Sequence, residues 1–83
     1  MKKIVNVEPL EDYKLILEFD NGEKKLKDMK PYLDKGVFSR LKDKNFFKKV
    51  KISYGAICWG SDIDMCADSL YESSIDYKRD KGT

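Results

Sequence analysis

Histidine is absent from this chain of 83 residues. It is the side chain whose ordinary pKa lies closest to neutral pH, and it is the most frequent general base in enzymes. No other residue in the sequence replaces it convincingly in that role. We therefore predict that the protein is not an enzyme.

Cysteine is scarce as well: only Cys58 and Cys66 occur, with seven residues between them. A zinc site would need two further ligands, and a nucleophilic cysteine would need a base such as histidine beside it. We interpret both cysteines as small, partly buried side chains. The sequence therefore predicts no cofactor.

Long apolar runs are also missing. No segment approaches the roughly 20 apolar residues that cross a bilayer. The apolar stretch after Met1-Lys2-Lys3 is broken at Asn6, Glu8 and Glu11, so no signal peptide is predicted. We expect a protein without a membrane segment, located in the cytoplasm, where thiols stay reduced.

Alternation of apolar and polar residues in the first third of the chain predicts an antiparallel meander. In residues 13–19, one face carries Tyr13, Leu15, Leu17 and Phe19, and the other carries Lys14, Ile16 and Glu18. Asn21-Gly22 is a hairpin turn signal, because both residues tolerate a positive φ. The predicted strands are residues 3–10, 13–19 and 23–28.

The rest of the chain predicts short helices followed by a strand pair. Asp43 is a candidate N-cap for a helical turn. The predicted helical turns are residues 31–33, 37–41, 44–47 and 67–73. The predicted strands are residues 48–54 and 56–59, with alternation continuing through Ile63 and Met65.

These elements predict a small α+β fold in a single domain over residues 1–73. Residues 74–83 are mostly polar and are predicted to be a mobile C-terminal tail. The predicted core residues are Val5, Val7, Leu15, Leu17, Phe19, Leu26, Leu33, Phe38, Leu41, Phe47, Val50, Ile52, Trp59 and Leu70.

Charge is distributed unevenly along the chain. The net charge is +2, yet residues 23–51 carry eleven Lys or Arg against four acids. Within this stretch, the lysine block comprises Lys42, Lys44, Lys48, Lys49 and Lys51. Basic residues beside the aromatic Phe46 and Phe47 are typical of single-stranded nucleic-acid binding. The alternative is a solvated surface, because both phenylalanines fall at core spacing, and we favour that alternative.

Asp62 and Asp64 are the best candidates for metal chemistry. Two carboxylates one residue apart on an extended segment point the same way and could share a hard cation. Such a site needs more oxygen ligands, and Asp68 is the nearby addition. We favour the alternative that these acids cap turns or pair with lysines, and we predict no metal site.

Trp59 is the single tryptophan and a candidate binding residue. Tryptophan is enriched at binding hot spots. In a small domain with one tryptophan, however, core packing is the commoner role. Both interpretations stay open at this point, with the core favoured.

The chain resembles a small bacterial family catalogued as domain of unknown function 2442. The resemblance is carried by the order and spacing of four pieces. They are Val5-Asn6-Val7-Glu8-Pro9-Leu10, Phe19-Asp20-Asn21-Gly22-Glu23, Phe46-Phe47-Lys48-Lys49-Val50, and Ile57-Cys58-Trp59 with Asp62-Ile63-Asp64-Met65. The resemblance implies a compact α+β fold and no agreed catalytic residues.

The resemblance also implies a functional class, because members of that family are similar to proteins found in toxin–antitoxin-like settings. We therefore expect a non-enzymatic protein-interaction module, an antitoxin-like partner of a neighbouring small protein. The alternative is a weak electrostatic nucleic-acid binder that uses the lysine block. An exposed sheet edge could in addition support a homodimer.

Overall fold

The computed structural model describes residues 2–60 and 62–77. The strands are β1 (Ile4–Leu10), β2 (Lys14–Phe19), β3 (Lys24–Asp28), β4 (Lys51–Ser53), β5 (Ala56–Trp59), β6 (Ile63–Met65) and β7 (Ile75–Asp76). The α-helices are α1 (Lys44–Phe47) and α2 (Ala67–Ser73). The 3₁₀ helices are Glu11–Tyr13, Lys30–Tyr32 and Gly36–Lys42.

The strands form two antiparallel sheets. The larger has the order β1-β2-β3-β7 and the smaller the order β4-β5-β6. The predicted α+β class and three-stranded meander are confirmed, and β7 adds a fourth strand to that meander. The predicted C-terminal strand pair is a three-stranded sheet, because β6 pairs with β5. The sheets meet where the Ile4 backbone N–H donates to the Gly55 carbonyl at 2.8 Å.

One core lies between these elements. Its fully buried side chains include Trp59, Phe19 and Phe47. The other buried apolar residues are Ile4, Leu15, Leu17, Met29, Leu33, Leu41, Ile57, Ile63, Ala67 and Leu70. Of the predicted core residues, Val7, Phe38, Val50 and Ile52 are partly buried and pack against this cluster. The predictions for Val5 and Leu26 are wrong.

Leu26 is displaced from the core by the register of the β2–β3 hairpin. A two-residue Asn-Gly turn would place Leu26 opposite Leu17. Instead the Phe19 N–H donates to the Glu23 carbonyl, and Gly22 closes the longer loop at φ 90°. Leu17 therefore faces Lys25. A register shift of one residue moves every side chain of a strand to the opposite face.

Val5 is displaced by an irregularity in β1. Ile4 lies opposite Phe19, whereas Asn6 lies opposite Glu18, so Val5 is an extra residue without a partner in the register. This β-bulge interrupts the period-two pattern on which the prediction rested. Ile4 is buried in its place, and Val5 is 55% exposed.

The sheet continues beyond the predicted domain boundary at residue 73. Ile75 and Asp76, which the sequence analysis assigned to a polar tail, pair with Leu26 and Lys25. Residues 78–83 of that predicted tail lie outside the described residues. In the described part of the chain, no helix has the length and apolar character needed to cross a membrane.

The predicted N-cap of α1 is confirmed. The Asp43 side chain accepts a hydrogen bond from the Asn45 backbone N–H at 3.0 Å. This bond satisfies an amide that a helix of four residues leaves without an internal partner. The buried residue of this helix is Phe47.

Candidate functional site

Trp59 belongs to the core. Its side chain is fully buried, and its Nε1–H donates to the Phe47 carbonyl at 2.9 Å. The Phe47 ring stacks on it with centroids 6.0 Å apart. Because the indole is buried and its donor is used internally, Trp59 offers no surface for a partner.

The lysine block lies on the surface, and internal contacts engage two of its members. Lys42 pairs with Asp34 at 3.2 Å. Lys44 lies with its Nζ 5.9 Å from the centre of the Tyr13 ring. Lys48, Lys49 and Lys51 are exposed and form no ion pair with the residues that the structure describes.

The aromatic side chains beside the lysine block do not form a stacking platform. Phe47 is buried in the core. Phe46 is half-buried, and the Arg40 guanidinium lies 4.8 Å from its ring centre. Stacking of bases requires exposed rings. What remains at this surface is positive charge without a pair of exposed phenylalanine rings on which bases could stack.

The two candidate metal ligands do not combine into a site. Asp62 accepts a hydrogen bond from Arg40 Nη1 at 2.8 Å. Asp64 is exposed on β6, opposite Cys58. Among the described residues, no three cysteine, aspartate or glutamate side chains are grouped in a way that could hold a metal ion. Cys58, half-buried, and Cys66, exposed, carry free thiols.

A charged cluster surrounds Tyr71 at the junction of α2, β3 and β7. The Tyr71 hydroxyl donates to the Glu23 carboxylate. Nζ of Lys2 and Nζ of Lys25 each lie 4.4 Å from the ring centre. Lys25 also donates to Asp76 at 3.1 Å. These contacts attach the C-terminal elements to the edge of the large sheet.

The same contacts set the protonation behaviour of the cluster. The hydrogen bond from Tyr71 is the main reason that the pKa of Glu23 is lowered from 4.5. The hydrogen bond to Asp76 raises the pKa of Lys25, and the bond to Glu23 raises the pKa of Tyr71. Each shift favours the protonation state that makes the contact.

A surface groove lies beside β3, next to Ile75, where the two-residue strand β7 begins. This β3 groove has a volume of about 510 Å³. Its walls are formed by Leu26, Lys27, Pro31, Tyr32, Ser73 and Ile75. Lys14, Asp28 and Lys35 complete the lining. The groove thus combines apolar walls with an excess of positive charge.

Lys27 is the unusual member of this lining because it is buried, with 5% of its surface exposed. Its Nζ donates to the Tyr32 hydroxyl at 2.9 Å and to the Ser73 hydroxyl at 2.8 Å, with a longer contact of 3.5 Å to the Ser73 carbonyl. In the described part of the chain it forms no ion pair. Its partners among the described residues are therefore neutral.

Sequence reasoning missed the β3 groove and its lysine. The groove could have been predicted from the alternation of Lys25, Leu26 and Lys27, if the length of the preceding loop had been known. The loop length decides which face of β3 the two lysines occupy. A three-residue loop places both lysines on the core face of the sheet, whereas a two-residue loop places them outside. The sequence is compatible with both loop lengths.

Comparison with known proteins gives one family and no individual relative. The family model described as "Protein of unknown function (DUF2442)" matches residues 4–76. The chain belongs to this family, which confirms the resemblance. No curated protein and no solved structure matches the chain. The matched range ends at Asp76 and therefore includes β7 and the walls of the β3 groove.

Proposed function

We propose that this member of the DUF2442 family is a non-enzymatic protein-interaction module that holds a segment of a partner protein in the β3 groove. The observation that carries the proposal is the groove itself. Leu26 and Ile75 form an apolar wall, and Ile75 is 65% exposed although it lies in a strand. A concave surface with apolar walls and a few convergent polar groups is typical of a binding site.

The charge of the groove indicates what kind of segment fits it. Among the described residues, Lys14, Lys27 and Lys35 line it against the carboxylate of Asp28. That carboxylate already accepts a hydrogen bond from the Lys30 backbone N–H at 3.0 Å. Complementary charge guides association and suppresses wrong partners. A segment with apolar and acidic residues is therefore the expected occupant.

The test is affinity capture from lysate of the native cell, with variants that separate the groove from the rest of the surface. Ile75→Asn replaces the exposed apolar wall. Val5→Asn is the matched control, because Val5 is 55% exposed on the opposite edge of the same sheet. Captured material is treated with nuclease and washed at two salt concentrations.

We expect wild type and Val5→Asn to retain the same stoichiometric protein after nuclease treatment, and Ile75→Asn to lose it. Retention of the partner by Ile75→Asn would contradict the assignment of the groove. Circular dichroism of each variant establishes that loss of capture does not reflect loss of folding.

A more specific form of the proposal is an antitoxin-like role, which the family resemblance supports. The partner is then a neighbouring small protein whose toxicity this chain suppresses in the cytoplasm. Co-expression tests it: wild type and Val5→Asn restore growth of cells that produce the neighbour, and Ile75→Asn does not. Growth arrest that is unaffected by wild type would contradict this role.

A second candidate function is electrostatic binding of nucleic acid by the lysine block. The observation that favours it is the exposure of Lys48, Lys49 and Lys51 without ion pairs in the described part of the chain. Fluorescence anisotropy with a single-stranded RNA measures it. If these lysines contact phosphates, their replacement by glutamate reduces the slope of log K against log salt by about 2. An unchanged slope excludes the surface.

A further inference from the structure

The buried ammonium of Lys27 indicates a more specific property of the β3 groove. Burying a charge without an opposite charge is costly, and proteins normally compensate it with a carboxylate. Lys25, its neighbour on the same face of β3, has such a partner in Asp76 at 3.1 Å. Lys27 has hydroxyl and carbonyl oxygens instead. The two lysines therefore differ in the charge that meets them.

The two hydroxyl groups at Lys27 are oriented by the ammonium. An ammonium has donors and no acceptor, so the hydroxyl oxygens of Tyr32 and Ser73 accept from it. Each hydroxyl proton must then point away from Nζ. Neither hydroxyl donates to another described residue, and both residues line the groove. The groove thus contains two polarised hydroxyl donors, backed by a buried positive charge.

We infer that Lys27, Tyr32 and Ser73 form a carboxylate-binding site, which receives an Asp or Glu side chain from the partner segment in the groove. The inference rests on the proposed function and names the chemistry by which the groove selects its ligand. Two hydroxyl donors suit the two oxygens of one carboxylate, and hydrogen bonds to an ionised group are stronger than neutral ones. Leu26 and Ile75 supply the apolar contact beside it.

The lysines at the groove lining extend the preference for a negatively charged ligand. Lys14 lies on β2, opposite Asp28, and Lys35 precedes the 3₁₀ helix Gly36–Lys42. Both line the groove with Lys27, so an acidic segment meets positive charge from three different parts of the fold. This arrangement distinguishes the groove from the lysine block, whose lysines are all exposed, whereas Lys27 is buried.

The test is selection of ligands from a random nonapeptide library against the folded protein, followed by calorimetry with the recovered peptides. Three new variants are compared with wild type, and Ile75→Asn is included to show whether binding depends on the groove. Lys27→Met keeps the length of the side chain and removes the ammonium. Tyr32→Phe with Ser73→Ala keeps the ammonium and removes both hydroxyls. Lys49→Met removes an exposed lysine of the lysine block and is the matched control.

We expect the recovered peptides to share one Asp or Glu position. Replacing that residue by Asn or Gln, or introducing Lys27→Met, weakens binding about ten- to a hundredfold, as loss of a charged hydrogen bond does. The double hydroxyl variant weakens it as well, which keeps the test valid should Lys27→Met fail to fold. Lys49→Met binds as wild type does.

The contrary outcomes separate this inference from the proposed function. Peptides that require Ile75 but show no acidic position, and bind Lys27→Met equally, overturn the carboxylate site and leave the groove as a peptide site. Recovery of no groove-dependent peptide overturns both.

A parallel nuclear magnetic resonance titration uses inorganic phosphate. If phosphate perturbs Tyr32 and Ser73 while no acidic peptide is selected, the site binds free phosphate and the carboxylate assignment is wrong.

Discussion

Aromatic rings bury the core around Trp59, whereas lysine side chains cover the core beneath β3. We call these two regions the aromatic end and the lysine end. At the first end, Trp59 and Phe47 are fully buried and the single indole donor has an internal acceptor. At the second, Lys25 and Lys27 lie opposite Leu17 and Leu15, and their ammonium groups donate to polar partners.

The difference shows how a small domain with few apolar residues can cover the buried face of a sheet. The long aliphatic part of lysine can cover apolar surface while its charged end reaches a polar environment. The aromatic end is therefore a closed structural unit. The lysine end leaves polar donors at a groove, where a ligand can use them. Stability is expected to depend on the first end and binding on the second.

The largest expected loss of stability comes from a substitution at the aromatic end. Trp59→Ala removes a fully buried indole and leaves a cavity, which costs about 3–5 kcal/mol of the free energy of unfolding. Urea denaturation followed by circular dichroism measures it. Tyr54→Ala is the control, because Tyr54 is the fully exposed aromatic residue at the β4–β5 turn. Equal losses for the two variants would contradict the placement of Trp59.

Trp59→Phe separates the hydrogen bond from the packing. The phenyl ring keeps most of the apolar contact with Phe47 but leaves the Phe47 carbonyl without the indole donor. Leaving a buried acceptor unsatisfied costs about 1–3 kcal/mol. We expect the loss of unfolding free energy to lie below that of Trp59→Ala, and a neutral result would show that the bond contributes nothing.

The next effect separates the aliphatic part of Lys27 from its charge. Lys27→Ala removes the side chain that covers Leu15, and we expect a loss of about 1–3 kcal/mol. Lys27→Met keeps that cover and removes the buried ammonium, so we expect a change within about 1 kcal/mol. Urea denaturation compares them. A larger loss for Met than for Ala would show that the charge, not the aliphatic part, stabilises this end.

The pH dependence of stability sharpens the comparison further. Glu23 has a pKa below its ordinary value of 4.5 in the folded protein, chiefly because Tyr71 donates to it. Its contribution is therefore complete above pH 4.5 and is lost as the pH falls through the lowered folded pKa. Below pH 4.5 the free energy of unfolding therefore falls as the pH falls, and we call this part of the curve the acid limb. We expect Glu23→Gln and Tyr71→Phe to reduce its slope.

The measurement is the free energy of unfolding between pH 3 and pH 7, taken at roughly half-unit intervals to cover a carboxylate titration. Tyr54→Phe serves as control, since it removes the hydroxyl of a fully exposed tyrosine. An acid limb identical to wild type in both Glu23→Gln and Tyr71→Phe would exclude this contact as a source of pH dependence.

The smallest expected effect lies outside both ends, at the turn between β4 and β5. Tyr54 has φ 52° and no packing to lose, because its side chain is fully exposed. Asn tolerates this left-handed conformation better than an aromatic residue does. Tyr54→Asn is expected to raise the free energy of unfolding by about 0.5–1 kcal/mol, as the midpoint of urea denaturation shows. A lower midpoint would indicate an unseen role for the ring.

Strong local patterns predicted most of the framework. The strict alternation of residues 13–19 predicts β2 and its buried face, and the Asp43 cap predicts the start of α1. Both depend on neighbours in sequence. The buried position of Trp59 follows from the rarity of such a large side chain outside a small core.

The candidate site depended on features that local patterns do not contain. The lysine block is visible in the sequence, and so are its charges. The β3 groove is not, because it forms where β7 begins and where Pro31, Tyr32 and Ser73 approach β3 from two other elements. Residues distant in sequence meet there, and no spacing rule relates them.

The sequence by itself determined the class of the fold, the meander and the aromatic core, because hydrophobic periodicity and turn chemistry act over a few residues. The tertiary structure alone decided which face of β3 points inward and what lies beside it. A loop longer by one residue reverses that face, and pairing with β7 then places Lys25 next to Asp76 and leaves Lys27 with hydroxyl groups. Register is a collective property of the packed sheet. It decides that Lys25 forms a salt bridge and that Lys27 lies in the proposed binding site.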